Sequence, residues 1–128
     1  GEYKDFKLLK NEEVNSRKII SNYAASNVLD ALRMAVKDGT GKAAEIKGFS
    51  EGGKTGTVHK IKNGTGYAED SYRASFIGIT PLSDKSLTIF VSIDEPGLNS
   101  YTGGSVAAPV FAKIAESSLN HLGYFEDE

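Results

Sequence analysis

Residues 48–58 read GFSEGGKTGTV, and the conformation of this stretch decides what kind of domain the chain builds. Gly48 to Thr55 satisfies G-x-x-x-x-G-K-[ST] to the letter, the pattern of a phosphate-binding loop. Such a loop works only between a strand and a helix, because the N–H groups at the helix N-terminus receive the phosphates. Here Gly56 follows at once, and Thr57-Val58 leads towards the turn sequence Asn63-Gly64, so the residues after Lys54 read as strand. Glu51 would also set a carboxylate in a cradle meant for anions, and no apolar run ending in aspartate supplies a magnesium partner. The competing reading is Lys54-Thr55-Gly56-Thr57 along a strand edge. An ammonium and hydroxyls there can hold a carboxylate, a backbone N–H can polarise a carbonyl, and glycine lets a substrate approach the backbone. Strand alternation puts Lys54 and Gly56 on one face, Thr55 and Thr57 on the other. A motif this short also occurs by chance on a solvated strand, so its surroundings carry the decision.

Downstream, Lys54 to Lys62 and Ser71 to Thr80 are strand-like runs separated by Asn63-Gly64-Thr65-Gly66, and Pro81 to Lys85 turns the chain again. Leu87, Ile89, Val91 and Ile93 then alternate with Thr88, Phe90 and Ser92, the pattern of a half-buried strand. After a loop over Asp94 to Gly104, residues Ala107, Phe111, Ile114, Ser118 and Leu122 share one helical face; Pro109 falls in the first turn and Gly123 ends the helix. Upstream, Ala25, Val28, Leu29, Leu32 and Val36 mark a helix from Asn22 to Asp38, with Ser21 as N-cap and Gly39 as stop. Ala43 to Lys47 reads as a short extended stretch. Residues 1–20 read as an irregular leading segment and 21–128 as a single unit. The expected architecture is α/β in the sense of α+β layers: a three-stranded antiparallel meander from Gly53 to Asp94, with both helices on one face. Phe76, Ile77 and Phe90 place apolar side chains on both sheet faces, which suits part of a larger layered structure.

Fifteen basic and seventeen acidic residues leave a net charge of -2, so the chain lacks the basic footprint that binds nucleic-acid phosphates. No apolar run is long enough to span a bilayer. With no cysteine and two isolated histidines, His59 and His121, neither a metal site nor a cofactor is called for.

The run Gly53-Lys54-Thr55-Gly56-Thr57 resembles the third motif of penicillin-binding proteins and serine β-lactamases, whose full set is S-x-x-K, S-x-N and K-T-G. Supporting stretches follow in the family's order: Gly39-Thr40-Gly41, Ser75-Phe-Ile-Gly-Ile-Thr-Pro81, Ile93-Asp-Glu-Pro96, and Tyr101-Thr-Gly-Gly104 running into Val106-Ala-Ala-Pro-Val-Phe111. The resemblance runs from about Ile19 to Glu126 and is closest to the C-terminal part of a class B, division-specific transpeptidase of the FtsI type. Ser50-Glu51-Gly52 departs from the small apolar residues the family favours there. No S-x-x-K occurs, and Ser118-Leu119-Asn120 matches S-x-N only in letters, since it lies after the lysine motif and inside the last helix. The chain thus resembles a transpeptidase segment without the nucleophilic serine.

The resemblance implies a role for each site residue. Lys54 joins the proton and charge network of the acylation site and helps hold the substrate carboxylate. Thr57 is catalytic through its backbone N–H as an oxyanion donor, and Thr55, Gly56 and Thr57 bind the stem peptide or β-lactam. Tyr101, Gly103 and Gly104 form a loop wall beside the cleft, and Tyr67 and Tyr72 flank it. Implied partners are peptidoglycan stem peptides, β-lactams, the N-terminal remainder of the domain and cell-division proteins, but no nucleic acid. The implied location is the periplasmic face of the bacterial inner membrane, with an anchor outside this chain. A β-lactamase- or carboxypeptidase-type hydrolase is the alternative on the same scaffold; a nucleotide binder at Gly48 to Thr55 and a noncatalytic binding module are the others. His59 reads as an exposed strand residue, and Glu126 to Glu128 as a solvated tail.

Overall fold

The computed structural model describes residues 17–61, 66–83, 85–97 and 99–127. Helix α1 spans Asn22–Lys37 and begins where the sequence sets it: the Ser21 hydroxyl accepts the Ala24 N–H at 3.1 Å. That bond satisfies one of the donors a helix start leaves over. At the other end, a side chain on Gly39 would press on the Ala35 carbonyl at 2.7 Å. The chain then forms a 3-10 turn over Lys42–Ala44 where an extended stretch was expected. The turn closes through the Ala44 N–H on Gly41 O at 2.8 Å and lets Ala44, Ile46 and Phe49 all enter the core. An extended run would send alternate residues to solvent.

Strands β1 (Gly52–Ile61), β2 (Tyr67–Thr80) and β3 (Leu87–Asp94) form one antiparallel sheet in the order β1-β2-β3. Lys54 and Thr55 lie inside β1, which removes the phosphate-loop reading, since that reading needs a helix there. β2 starts four residues earlier than Ser71, pairing Tyr67 with Ile61 across an irregularity after His59. The turn expected at Asn63-Gly64 lies outside the described residues, as do residues 1–16 of the leading segment.

Register decides what each face carries. Gly53 stands opposite Gly78, Thr55 opposite Phe76, Thr57 opposite Ala74, and Phe76 opposite Val91. Ala74, Phe76, Gly78 and Thr80 are buried on one face, beside Val91 and the half-buried Leu87, Ile89 and Ile93. The opposite pleat leaves Val58 61% and Phe90 64% exposed, so both faces are apolar and the described residues leave this part of the second one open.

A π-type turn, Gly103–Ala107, leads into helix α2, Ala108–Leu122. Gly123 ends α2 in the left-handed conformation at φ 72°, and the Tyr124 N–H returns to Leu119 O at 3.0 Å. The buried stripe of α2 is Ala108, Phe111, Ala115 and Leu119, whereas Ile114 and Leu122 are exposed. The predicted face was therefore right at Phe111 and turned away from the sheet at its larger aliphatics. The two alanines let the helix come close, and Phe111 fills the space, its ring centroid 4.9 Å from that of Phe76. The Gly53–Gly78 pair makes this approach possible. A Cβ on Gly53 would land on the Phe76 ring, and one on Gly78 would stand 2.5 Å from the Phe111 ring.

The two helices do not share one face as expected. α2 covers the Phe76 face, while α1 packs chiefly on β1, its Leu32 and Arg33 lying over Gly52 on the pleat opposite Gly53. Gly52 has no side chain to hold α1 off, so the helix straddles the sheet edge and delivers only Val36 to the fully buried core.

Gly78→Ala is expected to destabilise the fold by about 1–3 kcal/mol, the usual effect of forcing a methyl group into a packed core. Adding Phe111→Leu to the same chain should restore part of the loss. Urea unfolding of the two variants tests this, and an unchanged midpoint for Gly78→Ala would mean that the rings do not need the glycine slot.

Candidate active site

Among the described residues β1 is an edge strand, paired only with β2, so alternate N–H and C=O groups point away from the sheet. Lys54 is exposed, and its Nζ donates to the Thr55 carbonyl at 2.9 Å. Gly56 shares its pleat, where an added Cβ would meet Ser75 Oγ at 2.6 Å. Thr55 and Thr57 lie on the other pleat and tie β1 to two loops. The Thr55 hydroxyl shares a 3.0 Å hydrogen bond with that of Thr40 in the loop after α1. The Thr57 hydroxyl accepts the Gly103 N–H at 3.1 Å. Thr57 is exposed, and accepting this bond leaves its own O–H to donate outward.

Gly103 is buried directly on the strand backbone, where a side chain would overlap the carbonyls of Ser75 and Gly56; a side chain on Gly104 would overlap the Thr40 carbonyl. These glycines bring the turn before α2 onto the β1–β2 pair. Thr102 caps that turn, its Oγ1 accepting the Ser105 N–H at 3.3 Å. Tyr101 stacks on Tyr72 with centroids 4.2 Å apart, and Tyr72 meets His59 edge-on at 4.4 Å. The structure thus gathers Thr55, Gly56, Thr57, Gly103 and Gly104 around one end of β1, with Tyr101 on the strand residues next along. Lys54 faces the opposite pleat, beside the open apolar surface. Ser118 is an ordinary helix residue, its Oγ bonding Ile114 O at 2.7 Å.

Charge is concentrated towards the other end of the strand. Lys60 Nζ bonds Glu95 at 2.7 Å and Asp94 at 3.0 Å, and Arg73 Nε reaches Asp94 at 3.3 Å. The bonds to Glu95 and Asp94 hold the Lys60 ammonium above its ordinary range. The Lys60 bond in turn holds both carboxyls below theirs. These exposed pairs close the sheet end from β1 across to β3 and add little stability.

Glu51 is the unusual titrating group. It is 3% exposed, just before β1, and its Oε2 accepts the Ile46 N–H at 3.3 Å. Burial pushes its pKa up to about 7; the Ile46 bond opposes this, the Glu45 charge adds to it, and Arg33 and Lys37 oppose it.

Sequence reasoning missed three contributors. Thr40, Ser50 and Asp127 carry no local signal, because their partners are fifteen to seventy-seven residues away. The tail is the clearest case. Asp127 is exposed, as a solvated tail would be, and its carboxylate also binds Ser50, because the left-handed turn at Gly123 sends the chain back over the Gly48–Ser50 loop.

The strand carrying Lys-Thr-Gly-Thr is thus backed by helix α2 seated on a glycine slot. Comparison with known proteins gives the family. Residues 1–116 match the penicillin binding protein transpeptidase domain, and the chain belongs to that family. It is 39% identical over 114 residues to Stage V sporulation protein D of Bacillus subtilis, a match covering 89% of the chain and 18% of that protein. Over 85 residues, 66% of the chain, it is 47% identical to a probable peptidoglycan D,D-transpeptidase, PenA, of Neisseria gonorrhoeae, covering 14% of the relative. Among solved structures, the transpeptidase domain of penicillin-binding protein 3 from Burkholderia pseudomallei superposes with a TM-score of 0.73 at 36% identity, covering 83% of this chain and 32% of that one. The chain therefore spans less than a fifth of the length of these two relatives.

Because folded Glu51 holds its proton up to about pH 7 while an ordinary glutamate releases it near 4.5, the folded state binds more protons between these values. Stability should be greatest below this window and fall as pH rises through it. Allowing for solvent screening, the loss is on the order of 1–2 kcal/mol. Glu51→Gln should flatten the dependence and be the more stable form at pH 8. Urea midpoints at pH 5 and pH 8 for both chains test this, and parallel pH profiles would rule Glu51 out as the source.

Proposed function

We propose that residues 21–128 are the C-terminal part of a serine-type peptidoglycan D,D-transpeptidase domain, which cross-links stem peptides through an acyl-serine and takes β-lactams as substrate mimics. The observation that carries this reading is the edge of β1, where the Lys54 ammonium, the outward Thr57 hydroxyl and unpaired backbone groups lie within four residues of a chain belonging to the transpeptidase family. Lys54 supplies positive charge to the acylation network, Thr55 and Thr57 hold the substrate carboxylate, and the Thr57 N–H is one oxyanion donor. The Tyr101–Gly104 loop walls the cleft. The likeness to FtsI-type relatives supports a role in septal wall synthesis alongside cell-division proteins, on the periplasmic face of the inner membrane. No described helix is long and apolar enough to cross a membrane. The uncovered apolar pleat of Val58, Ile77 and Phe90 is where the N-terminal remainder of the domain would pack.

Fluorescent penicillin labelling of the full natural protein that carries this chain tests the reading. Lys54→Ala should lower the acylation rate on the order of 100-fold or more with the fold intact, the scale expected for a group acting in proton transfer. Thr57→Val should lose about tenfold or more, because it removes one hydrogen bond to a charged group and the acceptor that seats the Gly103 N–H, while its own backbone N–H stays. Unchanged labelling of the Lys54 variant would remove the assignment.

The isolated chain should form no covalent adduct. Acylation needs a hydroxyl with a base in reach and oxyanion donors across the carbonyl, and the chain contains no S-x-x-K. Intact-mass measurement after incubation with penicillin tests this; a stoichiometric adduct would place a nucleophile within these residues.

A further inference from the structure

β1 faces a problem of register. Gly52, Gly53 and Gly56 occupy three of its first five positions, and among the described residues it pairs on one side only. Glycine-rich strands specify their register weakly, because few side chains lock them to one pairing. Lys54 and Thr57 sit in this stretch, so something outside the ladder has to fix β1 along its own axis.

Ser50 is placed to do so. It is 6% exposed and stands two residues before β1. Its Oγ accepts the Leu82 N–H at 2.9 Å and its carbonyl accepts the Thr80 hydroxyl at 3.0 Å, which joins it to the β2–β3 turn. Its N–H and O–H both donate to Asp127, at 2.7 Å and 2.6 Å, and the Asp127 N–H closes back on Gly48 O at 2.9 Å. A carboxylate taking two short bonds from one residue is the strong, charge-assisted case. Four residues separate Ser50 from Lys54, about 13 Å of extended chain, so a slip at Ser50 is passed along the strand.

We propose that Asp127 is a positioning residue for the lysine strand: the C-terminal tail clasps Ser50 and sets where Lys54 and Thr57 stand along the edge of β1. The catalytic half of this inference rests on the transpeptidase reading, and the structural half rests on the clasp geometry alone.

The experiment compares wild type, Asp127→Ala, Asp127→Asn, Ser50→Ala and Ser50→Ala/Asp127→Ala in the full natural protein carrying this chain. Hydrogen exchange is read at the amides of residues 52–57 and 111–119, and β-lactam acylation is followed in parallel. Asp127→Ala should speed exchange about tenfold in residues 52–57, leave 111–119 unchanged and slow acylation about tenfold. Asp127→Asn, whose amide oxygen still accepts one bond, should fall between, and the double variant should acylate no more slowly than the single losses combined. Exchange that stays slow at 52–57, or rises equally in α2, overturns the clasp; normal acylation with a loosened β1 overturns the positioning role. A wild-type protein that is not acylated at all removes the transpeptidase reading, and the exchange result then decides the clasp by itself.

Discussion

The structure depends on two facing glycines. Gly53 and Gly78 are cross-strand partners, and together they leave a slot in which the Phe76 and Phe111 rings lie against bare backbone. This brings α2 close enough for Ala108 and Ala115 to be buried with no gap, and it fixes the height of the turn that leads into the helix. Gly103 in that turn then rests on the backbone of Gly56, and Thr57 holds it there. The glycine at the head of the lysine motif is thus a packing residue. A phosphate cradle and a close-packed strand ask for the same amino acid at this position for unrelated reasons, and only the residues after it tell them apart.

Local regularities were legible in the sequence. The α1 cap at Ser21, the alternation from Leu87 to Ile93 and the left-handed stop at Gly123 each depend on neighbours within a few residues. Several features were not legible, and for one reason: they depend on what the element meets. The buried stripe of α2 follows the small alanines, because a helix over a glycine slot gains more from close approach than from turning Ile114 inward. α1 was expected on the Phe76 face, but side-chain periodicity shows which helix residues seek cover without showing that Gly52 opens the other pleat. Ala43 to Lys47 looked extended because a single 3-10 turn leaves no periodic trace. The Lys54–Thr57 motif was readable from residue types, and its face assignment followed from alternation. Its supports at Thr40, Ser50 and Asp127 were hidden by separation along the chain.

β1 divides its work between its two pleats. Thr55, Thr57 and Gly53 bind the strand to loops and rings of this chain, while Lys54, Gly56 and Val58 look out over a face that the described residues leave bare. A strand held on one side only keeps its place through fixed points at its ends. At the far end these are Lys60 with Asp94 and Glu95, and at the near end the contacts of Ser50 and Glu51. The two sets differ in kind. The exposed ion pairs weaken with salt, whereas the buried Glu51–Ile46 bond at the near end is screened much less.

The bond between Thr57 and Gly103 also gives the strand edge a polarity. A free hydroxyl rotates and greets acceptors and donors alike. This one has a lone pair occupied by a backbone N–H, which turns its hydrogen away from the loop and towards solvent. An acceptor that approaches Thr57 therefore meets a proton, and the second lone pair stays open to a donor. The direction of that proton is set by a main-chain contact rather than by the identity of any further side chain.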